Sequence, residues 1–260
     1  GYKCAPQILW ELGANVIPIG VEPNGYNINL NCGSTNTLMA SELVKKYNAD
    51  LAICLDGDAD RVIILDELGN EIDGDQLIAL IANNLKSENK INGDTIVSTV
   101  MSNLGLLRYL KDLGLNLFRT PVGDRYVSEI MKEKGFNFGG EKSGHIIMTD
   151  YSSTGDGLLA ALYFLSILKD SGKTTSQLLN VFKPTPQKLF NLNFESKDDP
   201  LDNPEFNKTI NELRKKISDS GEILVRKSGT EPVIRIMLQH NDTKIFEEIL
   251  EEINYMTSKL

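Results

Sequence analysis

Apolar positions along the chain recur with two different periods. Short runs such as Leu51–Leu55, Val62–Leu65 and Thr95–Val100 have the length and β-branched content of buried strands. Other stretches repeat at helical spacing. Leu104–Leu113 runs up to Gly114 and Arg125–Lys134 up to Gly135, each glycine standing where a helix would close. Ahead of the first strand, Pro6 opens a predicted helix over Ala5–Leu12, followed by a strand at Asn15–Ile19 and an Asn/Gly/Pro-rich loop at Glu22–Gly33. A helix over Thr35–Tyr47 comes next, with Leu38, Met39, Leu43 and Val44 expected on its inner side. A helix feeding a strand predicts the second half of a βαβ unit, which makes Gly1 an internal boundary of a longer protein.

After Asp73, the expected cap of a helix at Gln76–Leu85, strands at Thr95–Val100, Leu115–Arg119, Asn137–Gly139 and Ile146–Met148 alternate with helices. Helices at Gly157–Lys169 and Ser176–Phe182 end this stretch. Lys183-Pro184-Thr185-Pro186 is a stiff linker, and the pattern changes beyond it. A strand Lys188–Phe194, a charged turn Glu195–Pro204, a helix Glu205–Ile217 and strands Ile223–Arg226 and Val233–Leu238 precede an amphipathic helix. That helix turns Ile245, Phe246, Ile249, Leu250, Ile253 and Met256 inward. The expected fold class is α/β: an incomplete domain at 1–73, a second α/β domain at 74–184, and a small α+β domain at 185–260.

Composition narrows the function classes. With 260 residues and 41% hydrophobic content the chain can bury a sizeable core. A formal net charge of −9 and the lack of a basic block argue against a nucleic-acid partner. No apolar run is long enough for a bilayer and no signal peptide is present, so the expected location is the cytoplasm, without a membrane partner. Cys4, Cys32 and Cys54 follow no metal or redox spacing and read as reduced structural thiols.

Three connections carry chemistry. In Asp56-Gly57-Asp58-Ala59-Asp60-Arg61, three carboxylates at alternate positions of a tight connection repel one another, and a divalent cation such as Mg²⁺ relieves that repulsion. A solvated acidic turn is the plain alternative. An EF-hand is excluded, because its sixth position would be Arg61 in place of glycine and a strand follows. Arg61 beside a metal suits a phosphate oxygen. In Gly139–His145, Glu141 and Ser143 between glycines suit the hydroxyls of a polyol, although Glu141 and His145 could simply pair on the surface. His145 as a general base lacks an evident orienting partner. In Arg226–Pro232, the cations, the hydroxyls of Ser228 and Thr230, and Gly229, joined by Arg235 on the next strand, form a phosphate cradle without Walker spacing. A polar hairpin turn is the alternative there.

Metal, sugar and phosphate loops in this order resemble the α-D-phosphohexomutase family, and the resemblance covers essentially the whole chain. Val100–Gly105 and Val122–Val127 lean toward its glucosamine branch over the mannose/glucose one. The resemblance implies consecutive three-layer α/β domains and a four-domain enzyme with a catalytic phosphoserine in the first. The expected Thr-Ala-Ser-His-Asn-Pro context of that serine does not occur in these 260 residues, so they correspond to the remainder of domain 2 with domains 3 and 4. By itself this piece is expected to be inactive. The intact enzyme would be an isomerase that interconverts glucosamine 6-phosphate and glucosamine 1-phosphate through a phosphoserine and a bisphosphorylated sugar. Its product would feed UDP-N-acetylglucosamine and cell-wall synthesis.

The implied roles are Mg²⁺ on Asp56, Asp58 and Asp60, and Arg61 supporting the transferred phosphoryl group. Glu141 and Ser143 would hold the sugar, and Arg226, Ser228, Gly229, Thr230 and Arg235 the second phosphate. Implied partners are the sugar phosphate and the family's N-terminal domains, and the enzyme could form a homodimer. A mutase of the same family acting on mannose or glucose phosphates, a phosphatase with an aspartate nucleophile, and a non-catalytic sugar-phosphate-binding protein are the alternative readings.

Overall fold

The computed structural model describes residues 1–194, 200–217, 220–228 and 232–257. It divides into two compact units: residues 1–102 with 106–183, and residues 103–105 with 184–260.

The first unit begins with helices α1 (Cys4–Glu11) and α2 (Leu38–Tyr47) and a three-stranded sheet. Its strands β1 (Ala52–Leu55), β2 (Val62–Leu65) and β3 (Glu71–Ile72) lie in that order and are antiparallel. Leu55 faces Val62 across the hairpin, so the Asp56–Arg61 connector closes its end. No strand forms at Asn15–Ile19, where one was expected to follow the first helix. Pro18 has no N–H to donate to a ladder, and only Ile19 of that stretch packs on the small core of Ala40, Cys54, Ile63 and Leu65. In α2 the buried face is Ala40 and Val44, one turn apart, whereas Leu38 and Met39 are exposed, contrary to the expected inner set.

Asp73 caps α3 (Gly74–Ser87) as the sequence predicts, its carboxylate accepting the Gln76 N–H at 3.2 Å. Helix α3 is buried along most of its length. It packs within a four-stranded sheet region of β4 (Thr95–Thr99), β5 (Asn116–Thr120), β6 (Phe138–Gly140) and β7 (Ile146–Met148), ordered β5-β4-β6-β7. Strand β4 is parallel to β5 and β6, and β7 returns antiparallel to β6. Helices α4 (Leu104–Asp112), α5 (Asp124–Lys134) and α6 (Gly157–Ser171) complete the layers. Ile64, Ile78, Ile96, Leu106, Phe138, Ile146 and Phe164 meet in one core.

Helix α7 spans only Thr175–Leu178, shorter than the expected Ser176–Phe182. The Gln76 side chain explains the early end. Its Oε1 accepts the Val181 N–H at 2.9 Å and its Nε2 donates to the Phe182 carbonyl at 2.9 Å, drawing the chain out of helical geometry.

The second unit is a small α+β domain. Strands β8 (Gln187–Asn193), β9 (Gly221–Lys227) and β10 (Val233–His240) form an antiparallel sheet ordered β8-β10-β9. Helices α8 (Pro204–Ile217) and α9 (Thr243–Thr257) bury Phe206, Ile210, Phe246, Ile249 and Ile253 on it. The proline linker is anchored within this unit. Asn103 donates from Nδ2 to the Thr185 carbonyl at 2.9 Å and accepts the Thr185 N–H at 2.8 Å, matching both backbone groups of the residue between the prolines. Part of the expected charged turn, residues 195–199, lies outside the described residues. All three cysteines are free thiols. Among the described residues no helix is long and apolar enough to cross a membrane.

Candidate functional site

The β1–β2 hairpin forces its connector into a tight turn, and the turn gathers the three carboxylates. Asp56, Asp58 and Asp60 each offer an oxygen within 4.8 Å of the others. The residue that takes the left-handed conformation is Ala59 (φ 61°), not Gly57. Gly57 is needed for space instead, since a Cβ there would overlap the Ile28 side chain. The Ala59 carbonyl is held by the N–H of Gly157 at 2.9 Å, at the start of α6. Three hard, anionic oxygen donors with mixed burial fit a small divalent cation of the Mg²⁺ class.

Arg61 is bound into the same cluster. Its Nε lies 2.6 Å from Asp56 Oδ2 and 3.4 Å from Asp60 Oδ1, and its backbone N–H donates to Asp56 Oδ1 at 3.1 Å. Burial pushes the Asp56 carboxyl up, but hydrogen bonds from the Arg61 N–H and from Asp60, together with the guanidinium, outweigh it and hold Asp56 below the usual carboxylate range. Asp60 moves the other way. Burial and the neighbouring Asp56 carboxylate raise it, against the opposing pull of His145.

The second loop is built against the first. The Glu141 N–H donates to the His145 carbonyl and the Gly144 N–H to the Glu141 carbonyl, at 2.8 and 2.9 Å, closing a tight turn after β6. Gly144 then accepts the Val62 N–H at 3.0 Å, and His145 forms an antiparallel bridge with Arg61. Beneath the turn, Gly74 donates to the Lys142 carbonyl at 2.9 Å, in a contact so close that any Cβ on Gly74 would overlap Glu141 and Lys142 backbone. Ser98 Oγ donates to the Gly140 carbonyl at 2.6 Å and shares a 2.6 Å hydrogen bond with Ser102. One Glu141 oxygen, Oε1, accepts the Gly123 N–H at 3.1 Å, and Ser143 is exposed. The surface pair of Glu141 with His145 does not form, because the imidazole turns toward Asp60.

That contact is what sequence reasoning missed. His145 Nδ1 sits 3.0 Å from Asp60 Oδ2, so the histidine does have an orienting partner. The side chain is buried against Gly155, where a Cβ would overlap the ring. Gly155-Asp156-Gly157, just ahead of α6, was the available signal. Its two glycines mark backbone packed closely on the other loops.

In the second unit, Arg226 on β9 stands directly opposite Arg235 on β10. Ile234 and Ile236, flanking Arg235, are 0% exposed, so Arg235 lies on the other face of the strand from the core. Ser228 follows β9 with its N–H donating to the Val233 carbonyl at 2.8 Å. Gly229 and Thr230 lie outside the described residues.

Three family models match the chain in succession. Residues 1–69 match the phosphoglucomutase/phosphomannomutase alpha/beta/alpha domain II, 73–185 its domain III, and 189–255 its C-terminal domain. A phosphoglucosamine mutase of Cereibacter sphaeroides is 52% identical over 252 residues, 97% of this chain and 56% of that protein. The chain thus spans about half the length of the curated relatives it matches. Among solved structures, a phosphoglucomutase/phosphomannomutase family protein of Burkholderia thailandensis shares the fold with a TM-score of 0.78 at 22% identity, covering 96% of this chain and 56% of that one. Aspergillus fumigatus N-acetylphosphoglucosamine mutase in complex with GlcNAc-6P and magnesium gives a TM-score of 0.66 at 19% identity, over 86% of this chain and 56% of that one. From its first residues to its last helix the chain follows consecutive domains of one family, and it belongs to the phosphoglucomutase/phosphomannomutase family.

Proposed function

We propose that this chain carries the metal-, sugar- and phosphate-binding parts of a mutase that interconverts glucosamine 6-phosphate and glucosamine 1-phosphate. The observation that supports it most is the joining of the two loops of the first unit, with Asp60 of the carboxylate cluster held by His145 of the sugar loop. The glucosamine branch is supported by the 52% identity to a phosphoglucosamine mutase, and magnesium by its presence in the Aspergillus fumigatus complex.

Asp56, Asp58 and Asp60 would hold Mg²⁺, which when bound offsets charge on the phosphoryl group in transit. Arg61 supports phosphoryl oxygens with its terminal amino groups. Glu141, oriented by the Gly123 N–H, and Ser143 grip ring hydroxyls. Arg226, Ser228, Gly229, Thr230 and Arg235 hold the phosphate that is not reacting, which fixes the distance from that phosphate to the site of transfer. We assign these roles to three domains, at 1–73, 74–184 and 185–260. The nucleophilic phosphoserine is assigned to an N-terminal domain outside this chain. Charged sugar phosphates do not cross a bilayer, which puts the work in the cytoplasm.

The test is the activity of the polypeptide that carries this chain in its cell, on glucosamine, glucose and mannose 6-phosphates. The expected result is the highest kcat/KM with glucosamine 6-phosphate. A preference for mannose or glucose phosphate would move the chain to the other branch. Release of inorganic phosphate without isomerisation would replace the mutase with a phosphatase.

A further inference from the structure

The carboxylate cluster contains its own cation. Both oxygens of Asp56 are engaged by Arg61, Oδ1 by the backbone N–H at 3.1 Å and Oδ2 by Nε at 2.6 Å. Asp60 gives one oxygen to the same Nε at 3.4 Å and the other to His145 at 3.0 Å. The Asp56 Oδ2 contact is an ion pair without a hydrogen bond, and three of the four contacts come from Arg61. Asp58, exposed, is the member of the trio with no such bond among the described residues. The guanidinium uses Nε in these contacts, and its side chain is 39% exposed.

We propose that Arg61 is the resident counter-ion of the metal site: it holds the three-carboxylate turn together while no metal is bound, and it yields the Asp56 oxygen when a divalent cation enters. The inference rests on the metal-binding reading above and adds an order of events. A cation and a guanidinium cannot both sit within bonding distance of Asp56 Oδ2 without strong repulsion. Metal entry thus frees the guanidinium, the fork-shaped group best suited to a phosphate oxygen. With the metal in place, Nε joins the terminal amino groups in the fork that meets the phosphoryl group.

The experiment is calorimetric titration of Mn²⁺ into the 260-residue chain and its Arg61→Gln and Arg61→Lys variants, with thermal unfolding of each in EDTA and in Mn²⁺. Arg61→Gln should bind Mn²⁺ at least threefold more tightly than the native chain. It should also unfold at a lower temperature in EDTA, with the deficit reduced by Mn²⁺. Arg61→Lys, which keeps the charge, should stay within twofold of native affinity and covers the case where the glutamine variant does not fold. Equal or weaker Mn²⁺ binding by Arg61→Gln, or tightening by Arg61→Lys as large as that expected of glutamine, overturns the counter-ion role while leaving the metal site intact. Absence of Mn²⁺ binding by the native chain overturns the metal reading itself.

Discussion

His145 Nδ1 lies 3.0 Å from Asp60 Oδ2, with the imidazole side chain only 3% exposed. A buried ring hydrogen-bonded to a carboxylate fixes where that carboxylate points, and the partners behind metal ligands commonly contribute tenfold or more to affinity. His145→Ala is therefore expected to weaken Mn²⁺ binding by about tenfold. His145→Asn, whose amide can reach the same oxygen, should recover part of the loss. Calorimetric titration of both variants checks this, and identical affinities for Ala and Asn would show that the contact does not matter to the metal.

Gly144 takes φ +90°, and a Cβ there would overlap the Val62 carbonyl. Gly144→Ala should cost more than about 1 kcal/mol in urea unfolding, because it combines a left-handed backbone with a backbone clash. The neighbouring exposed Ser143→Ala should change stability by no more than about 0.5 kcal/mol. Equal effects at the two positions would mean that the loop re-forms elsewhere.

Glu67 accepts both the Ser176 N–H at 3.0 Å and the Ser176 hydroxyl at 2.5 Å. Some burial pushes its carboxyl up, but these hydrogen bonds outweigh it and lower the pKa from 4.5 to about 2. A carboxyl depressed in the folded state stabilises the fold above its unfolded pKa and loses that contribution as the pH falls through the folded one. Glu67→Gln should therefore flatten the decline in stability between about pH 4.5 and pH 2, as read from urea midpoints at stepped pH. An unchanged slope would place the acid sensitivity at other carboxylates.

Cys4 is exposed and Cys54 buried in the β1 strand. Burial first, then the nearby Glu71 and Cys32, push the Cys54 thiol up to about 12. Iodoacetamide at pH 8 should label Cys4 quickly and leave Cys54 unmodified until the chain is denatured, as peptide mass spectrometry would show. Rapid labelling of native Cys54 would contradict the packing of the first sheet.

Much of the fold could be read from period and punctuation, because those signals are local. Asp73 as a cap acts within a few residues of itself. The Asp56–Asp60 trio was legible for the same reason, since alternate spacing in a short connector leaves the side chains little choice. What escaped depends on partners distant in the chain. Asn15–Ile19 has the composition of a strand, but a strand exists only as a ladder. The Gln76 amide that ends α7 and the Asp60 that orients His145 cannot be inferred from their own neighbourhoods. The alliance of Arg61 with the carboxylates, in place of a phosphate, is a choice of rotamer that a sequence does not display.

The Val62–Gly144 hydrogen bond and the Gly157–Ala59 hydrogen bond carry a consequence for synthesis. The carboxylate hairpin leaves the ribosome long before the turn and helix that brace it, so its closure waits on contacts of long sequence separation. A nascent chain ending near Ser143 would carry all three aspartates and still lack the frame that aims them. Competence to take up a cation would therefore arrive late in translation, with the emergence of α6.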